Sequence, residues 1–168
     1  MTNPTIYLLD ANVFMEAARR YYAFDLVPFF WQALIEHAGN GRVMSIDRVK
    51  AEIDRGGDML KDWANSAFHQ WFESTNQDDV IEWYSKIMGW AYGNRQFTHA
   101  AKAEFARADN ADAWVVAYAK AKGYVVVTHE EFDPYIKVKI PIPNVCQAFG
   151  VQNVDTFKML RDLGVRLG

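Results

Sequence analysis

Two short, almost continuously apolar runs, Ile6-Tyr7-Leu8-Leu9 and Tyr124-Val125-Val126-Val127-Thr128, stand near the two ends of the chain, and each stops abruptly at polar and acidic residues. Runs of this length without polar alternation mark strands buried on both faces of a parallel sheet. After the first run the apolar positions spread to helical spacing, which predicts a helix through about Tyr22. Leu26 to His37 has the same spacing, with Phe29, Phe30, Ala33 and Leu34 able to share a face, and Gly39 and Gly41 end it. Arg42 to Ile46 reads as a further short strand. The helix after it, through about Arg55, can be capped by Ser45 or Asp47 and is stopped by Gly56-Gly57. Asp58 to Ala108 carries most of the aromatic residues and predicts about three helices over the sheet. Asn110 to Lys122 is helical by spacing and Gly123 is its stop, so this helix and the strand behind it form a βαβ unit with a right-handed crossover. Ile140 onward predicts a last edge strand, and Asp155 to Leu163 a final helix.

Composition narrows the setting. A chain of 168 residues without repeats, low-complexity tracts or a Ser/Gly/Pro-rich linker is expected to form one domain, residues 1–168, able to bury roughly two thirds of its unfolded surface. The single cysteine, Cys146, excludes an intrachain disulfide. With an N-terminus that lacks the basic, apolar and small-residue segments of a secretory signal, this points to the cytoplasm. The longest uncharged stretch, Ile140 to Val154, is broken by Pro141 and Pro143 and falls short of the roughly 20 apolar residues of a membrane helix. A net charge of -3 gives no long-range field for gathering nucleic acid, so a polyanion would have to be held by local basic groups or bound cations.

Candidate chemistry lies in the acids. Asp10 follows the first strand and His129-Glu130-Glu131 follow the run ending at Thr128, so both groups sit beyond the carboxyl ends of strands, where open α/β sheets place their ligand crevice. Asp112 lies in the first turn of the helix feeding the latter strand, and Glu52 in the helix after Arg42–Ile46. Four carboxylates meeting in one crevice raise one another's pKa values and call for cations. Oxygen ligands without clustered cysteine or histidine suit Mg²⁺ or Mn²⁺. Singly, each acid also fits a plainer role. Asp10 can cap the helix after it, Asp109 reads as a cap with Asp112 in the first turn behind it, and Glu52, Glu130 and Glu131 can be solvated charges.

The joint pattern resembles a known family. LLDANVFM at Leu8 to Met15 is similar to the opening of a PIN domain, whose first strand ends in Asp followed two positions later by Asn, Ser or Thr. RVKAEI at Arg48 to Ile53 resembles that family's second motif, and Ala111 to Phe132, ADAWVVAYAKAKGYVVVTHEEF, its third and fourth. The likeness is strongest to a bacterial PIN-like subfamily of uncharacterised proteins with Glu in place of Asp in the fourth motif. It implies a three-layer α/β/α fold around a mainly parallel sheet, with extra helices in the middle of the chain. It further implies an acidic quartet of Asp10, Glu52, Asp112 and Glu130 holding Mg²⁺ or Mn²⁺, with Asp10, Asp112 and Glu130 as metal ligands and Glu52 orienting or deprotonating the attacking water. Asn12 would orient Asp10, and Thr128 supplies the hydroxyl before the last acid. Because Glu130 is one methylene longer than Asp, Glu131 is a second candidate for its place.

The resemblance implies a metal-dependent endoribonuclease, the toxin of a toxin-antitoxin pair, with an RNA substrate, a small antitoxin protein as partner and a homodimer favoured by the aromatic excess. Arg48 and Lys50, or Lys137 and Lys139, are candidate phosphate grips. The middle Trp and Tyr residues can stack on bases, but helical spacing favours core or interface. His129 is a candidate proton carrier. Two other classes stay open: a PIN-like RNA- or protein-binding module without turnover, and a haloacid-dehalogenase-type phosphatase. The second also ends its first strand in Asp, but it needs another acid where this chain has Asn12.

Overall fold

The computed structural model describes residues 3–167. Its centre is β1 (Tyr7–Leu9), every residue of which is buried, as a strand flanked on both edges and covered on both faces requires. Its neighbours are β2 (Val43–Ile46) and β4 (Val125–Val127), with β3 (Phe72–Glu73) beyond β2 and β5 (Asn153–Val154) beyond β4. All four pairings are parallel, and Tyr7 is in register with both Val43 and Val125. The order β3-β2-β1-β4-β5 makes the crossovers run one way from β1 to β3 and the other way from β4 to β5. Right-handed connections then put the helices of the two halves on opposite faces of the sheet.

On the first face lie α1 (Ala11–Glu16), which continues as a π-helical turn over Ala17–Tyr21, then α2 (Pro28–Gly39), α3 (Asp47–Gly56) and α4 (Met59–Ser66). The second half contributes α5 (Asp78–Gly93), α6 (His99–Phe105), α7 (Asp112–Lys122) and α8 (Ile142–Phe149), whereas α9 (Thr156–Asp162), which follows the last strand, packs Phe157 on Tyr21 and Tyr22 of the first half. The aromatic residues of the middle segment are divided between the faces. Phe68 packs at 5.6 Å on Phe14 and 5.2 Å on Trp63, whereas Tyr84 stacks at 3.8 Å on Trp114, and Trp90 meets Phe149 at 5.9 Å. Offset and edge-on ring pairs of this kind add about 1 kcal/mol each to the burial of the rings.

The α/β class, the parallel sheet and the helices of the middle segment agree with the sequence reading. The differences have local causes. Ile140 onward is not a strand: α8 starts at Ile142, and the edge strand follows at Asn153–Val154. Pro143 sits in the first turn, where a proline needs no amide partner, and Gly150 at φ 68° closes the helix in the left-handed region. Neither Ser45 nor Asp47 caps α3. The Ser45 hydroxyl donates to the Leu9 carbonyl at 2.7 Å, and Asp47 accepts from the Thr75 amide and hydroxyl, tying α3 to the segment after β3. The buried stripe of α2 is Phe30, Trp31, Leu34 and Ala38, leaving Phe29 exposed. β3, two residues long, has no periodicity to read.

Candidate active site

The crossover direction reverses between β1 and β4, and the crevice at their carboxyl ends is built from the residues that end these strands. The Asp10 amide donates to the Val127 carbonyl at 3.0 Å, locking the two ends together. The Thr128 hydroxyl donates to Asp10 Oδ2 at 3.1 Å and accepts from the Glu130 amide at 3.2 Å, so one side chain positions both acids. Asp10 stands at the cap position of α1, yet its carboxylate takes no amide of that helix. It is 1% exposed. The plain capping role therefore fails for Asp10.

The remaining acids are carried in by helices. Asp112 opens α7, and its amide is capped by Asn110 Oδ1 at 2.9 Å. Asp109, the expected cap, is instead held by Arg107 at 3.0 and 2.9 Å. Glu52 reaches across from α3, and its Oε1 accepts from the Ala111 amide at 3.0 Å, using one more free donor at the start of α7. Glu130 Oε2 accepts from the Ile142 amide at 2.8 Å at the start of α8, and its other oxygen is paired with Lys139. Glu52, Asp112 and Glu130 line one cavity of about 540 Å³ with Asn12 and Lys139, against an apolar wall that includes Phe105 and Val138.

Crowding shows in the electrostatics. Burial raises the Asp10 carboxyl well above the usual range, and the charges of Asp112, Glu130 and Glu52 add to this against the Thr128 hydrogen bond. Asp112 is pushed up to about 7, first by burial and then by Glu130 and Glu52. Glu52 is raised by burial despite the Ala111 hydrogen bond. The Lys139 ammonium is opposed by burial, but its pairing with Glu130 and the charges of Asp112 and Asp10 outweigh that and raise its pKa. Among the described residues no three His, Cys, Asp or Glu side chains stand together as a ready-made metal cage.

Several expected roles move to other residues. Asn12 lines the cavity, but the side-chain bond that holds Asp10 comes from Thr128. Arg48 is committed elsewhere, with its guanidinium 4.3 Å over the Trp114 ring and Nε donating to Thr75 Oγ1 at 3.2 Å. Lys50 pairs with Asp54 at 2.7 Å. Neither lines the cavity, so the phosphate grip assigned to this pair has no geometric support. Glu131 and His129 line a neighbouring cavity, and the His129 ring bridges Glu16 and Thr156, which leaves it no free nitrogen for proton transfer. Sequence reasoning missed Asn110 as cap, although Asn two positions before an acid that opens a helix is a recognisable signal. It also missed Arg55, which lines the cavity from the last turn of α3, and Glu104 and Arg107, which line it from α6 and the loop after it.

The arrangement of strands and helices is a PIN-like α/β fold, and comparison with solved structures agrees. The chain is similar to VapBC2 from Rickettsia felis bound to a promoter DNA fragment, with a TM-score of 0.54, 15% identity, and 90% of this chain and 98% of that one covered. FitAcB from Neisseria gonorrhoeae matches with a TM-score of 0.53 and 17% identity over 88% and 96% of the two chains. VapBC-1 from nontypeable Haemophilus influenzae gives 0.50 and 15% over 90% and 98%. At these identities the likeness is one of fold. By sequence, residues 7–167 match the family described as a domain of unknown function, DUF4411, and the chain belongs to it. No protein of curated function matches it.

Proposed function

We propose that the protein is a metal-dependent endoribonuclease acting as the toxin of a toxin-antitoxin pair. The observation that carries this reading is the convergence of Asp10, Glu52, Asp112 and Glu130 on one crevice where burial and mutual repulsion raise the carboxyl pKa values of the first three. An acidic pocket of this kind repels a phosphodiester unless cations reverse its sign.

The donor set fits Mg²⁺ or Mn²⁺. The candidates are carboxylate oxygens, the nearest imidazole is tied up in the His129 bridge, and the Cys146 thiol is pushed up to about 12 by burial and by the charges of Asp10 and Glu130. Asp10, Asp112 and Glu130 would hold the metal, which when bound would lower the pKa of a water and stabilise charge on the leaving oxygen. Thr128 keeps one Asp10 oxygen fixed. Glu52 has one oxygen on the Ala111 amide and the other free to orient the attacking water or take its proton. Asn12 lines the cavity and would serve there as a polar contact for the substrate.

The fold shared with VapBC2 and FitAcB supports a small antitoxin protein as partner. No helix is long and apolar enough to cross a membrane among the described residues. The test is cleavage of a mixed RNA by the parent protein and by Asp10→Asn, with Mn²⁺ and with excess chelator. Mn²⁺-dependent cleavage that disappears in the variant supports the reading. Cleavage that survives chelator, or is equal in the variant, overturns it. A fold retained for binding alone is the second reading, favoured by the engagement of Glu130 with Lys139 and Ile142; it predicts RNA or protein binding without turnover under the same conditions.

A further inference from the structure

The acid crevice already contains a cation that belongs to the chain. Lys139 Nζ is paired with Glu130 Oε1, while Glu130 Oε2 is fixed by the Ile142 amide at 2.8 Å. The Glu130 side chain is 10% exposed and that of Lys139 52% exposed, so the carboxylate is fixed inside and the ammonium reaches it from the solvent side. The segment that delivers the lysine is itself anchored. The Thr98 amide donates to the Lys137 carbonyl at 2.9 Å, Gln96 Nε2 donates to the Ile136 carbonyl at 2.8 Å, and Ile140 is buried. The other basic groups of this cavity are engaged at its rim. Arg55 donates to the Asp109 carbonyl at 3.2 Å, and Arg107 is shared between Asp109 and Glu104. Lys139 is therefore the basic group of this cavity that pairs directly with one of the four acids.

Resting on the metal reading above, we infer that Lys139 is a resident counter-ion that competes with the divalent cation for Glu130, so that its release sets how readily the site loads. An ammonium and a divalent ion drawn to the same carboxylate oxygen compete for it, because like charges at contact distance repel one another strongly in a partly buried site. Lysine suits the role. Its compact charge rides on a flexible four-carbon stem, and from a half-exposed position the ammonium swings into water at little cost in solvation. The competition has a signature opposite to that of structural damage: removing the ammonium tightens metal binding, whereas disturbing the site loosens it.

The experiment is calorimetric titration of Mn²⁺ alone into the metal-stripped full chain, as parent, Lys139→Met, Lys139→Gln and Lys139→Arg, with melting curves in chelator to verify folding. The two neutral variants are expected to bind Mn²⁺ about tenfold more tightly than the parent, and Lys139→Arg, which keeps the charge, to stay within about threefold. Parent-like or weaker binding by both neutral variants overturns the counter-ion role while leaving the metal reading intact. Tightening by Lys139→Arg equal to that of the neutral variants also overturns it, because charge would then not be the cause. Absence of binding heat in all four proteins overturns the metal reading and this inference with it.

Discussion

The aromatic layer over α1–α4 and the acid crevice at the ends of β1 and β4 are both buried, both drawn from distant parts of the chain, and opposite in what burial does to them. In the layer, Phe14, Trp63 and Phe68 gain from every contact: Phe14 and Phe68 are fully buried, and the three rings meet at 5.2 to 6.1 Å. In the crevice, burial works against the side chains it encloses, raising the carboxyl pKa values of Asp10, Asp112 and Glu52. One region stabilises the fold and the other draws on that stability, as expected where groups are arranged for chemistry rather than for packing.

Removing a side chain from each region separates the two most sharply. Asp10→Asn is expected to lower Mn²⁺-dependent RNA cleavage by about a thousandfold, or about 4 kcal/mol of barrier, with the melting temperature in chelator equal to or above that of the parent. Phe68→Ala is expected to do the reverse. It should cost about 3 to 5 kcal/mol of unfolding free energy in urea titration through the cavity it leaves, while protein that remains folded cleaves at near the parent rate. A large loss of stability in Asp10→Asn would mean that the crevice is structural and the contrast misplaced.

Titration gives a smaller effect with a defined sign. Asp112 has a folded pKa near 7 against an ordinary value of 3.8, so the folded state holds its proton more tightly than the unfolded state. The stability this contributes is complete below about pH 4, declines as pH rises toward 7, and is gone above that; Asp10 acts in the same direction. In chelator the melting temperature should therefore fall by about 5 °C between pH 4.5 and 7.5 beyond the trend of Asp112→Asn. Mn²⁺ at pH 7.5 should restore it in the parent and much less in Asp112→Asn. Parallel pH curves for the two proteins would show that neither burial nor its neighbours raise the Asp112 carboxyl in the folded state.

The two regions were also unequally legible in the chain. The buried strands announced themselves because Ile6–Leu9 and Tyr124–Thr128 are too apolar for any exposed face, and the placement of Asp10 and Glu130 beyond their ends followed from parallel-sheet geometry. The helix at Ile142–Phe149 departs from the edge strand expected from Ile140 onward, and Pro143 fits it because a proline in the first turn lacks only an amide that would have no partner there. Which polar side chain holds which acid was not readable. Asn12 and Thr128 both fit the motif spacing, and only the adjacency of β1 and β4 gives the contact to Thr128. The division of the aromatic residues between two faces and the commitment of Arg48 to Trp114 depend on crossover direction in the same way. Contacts between elements separated by a hundred positions carry no local sequence signal.

The smallest effect tests that contact. Thr128 donates to Asp10 Oδ2 and accepts from the Glu130 amide, so Thr128→Val keeps the shape and burial of the side chain while removing both hydrogen bonds. A buried hydrogen bond to a charged group contributes about 1.5 to 3 kcal/mol, part of which water entering the crevice recovers. Thr128→Val is therefore expected to reduce cleavage about tenfold, chiefly in kcat, and to weaken Mn²⁺ binding by a similar factor. Thr128→Ser, which retains the hydroxyl, should stay within about twofold on both. Asn12→Ala serves as the contrast: because Asn12 lines the cavity without bonding to Asp10, the variant should raise KM more than it lowers kcat and leave Mn²⁺ affinity unchanged. If Asn12→Ala loosened the metal as much as Thr128→Val, the hydroxyl would not be what fixes Asp10, and the positioning role would return to the asparagine.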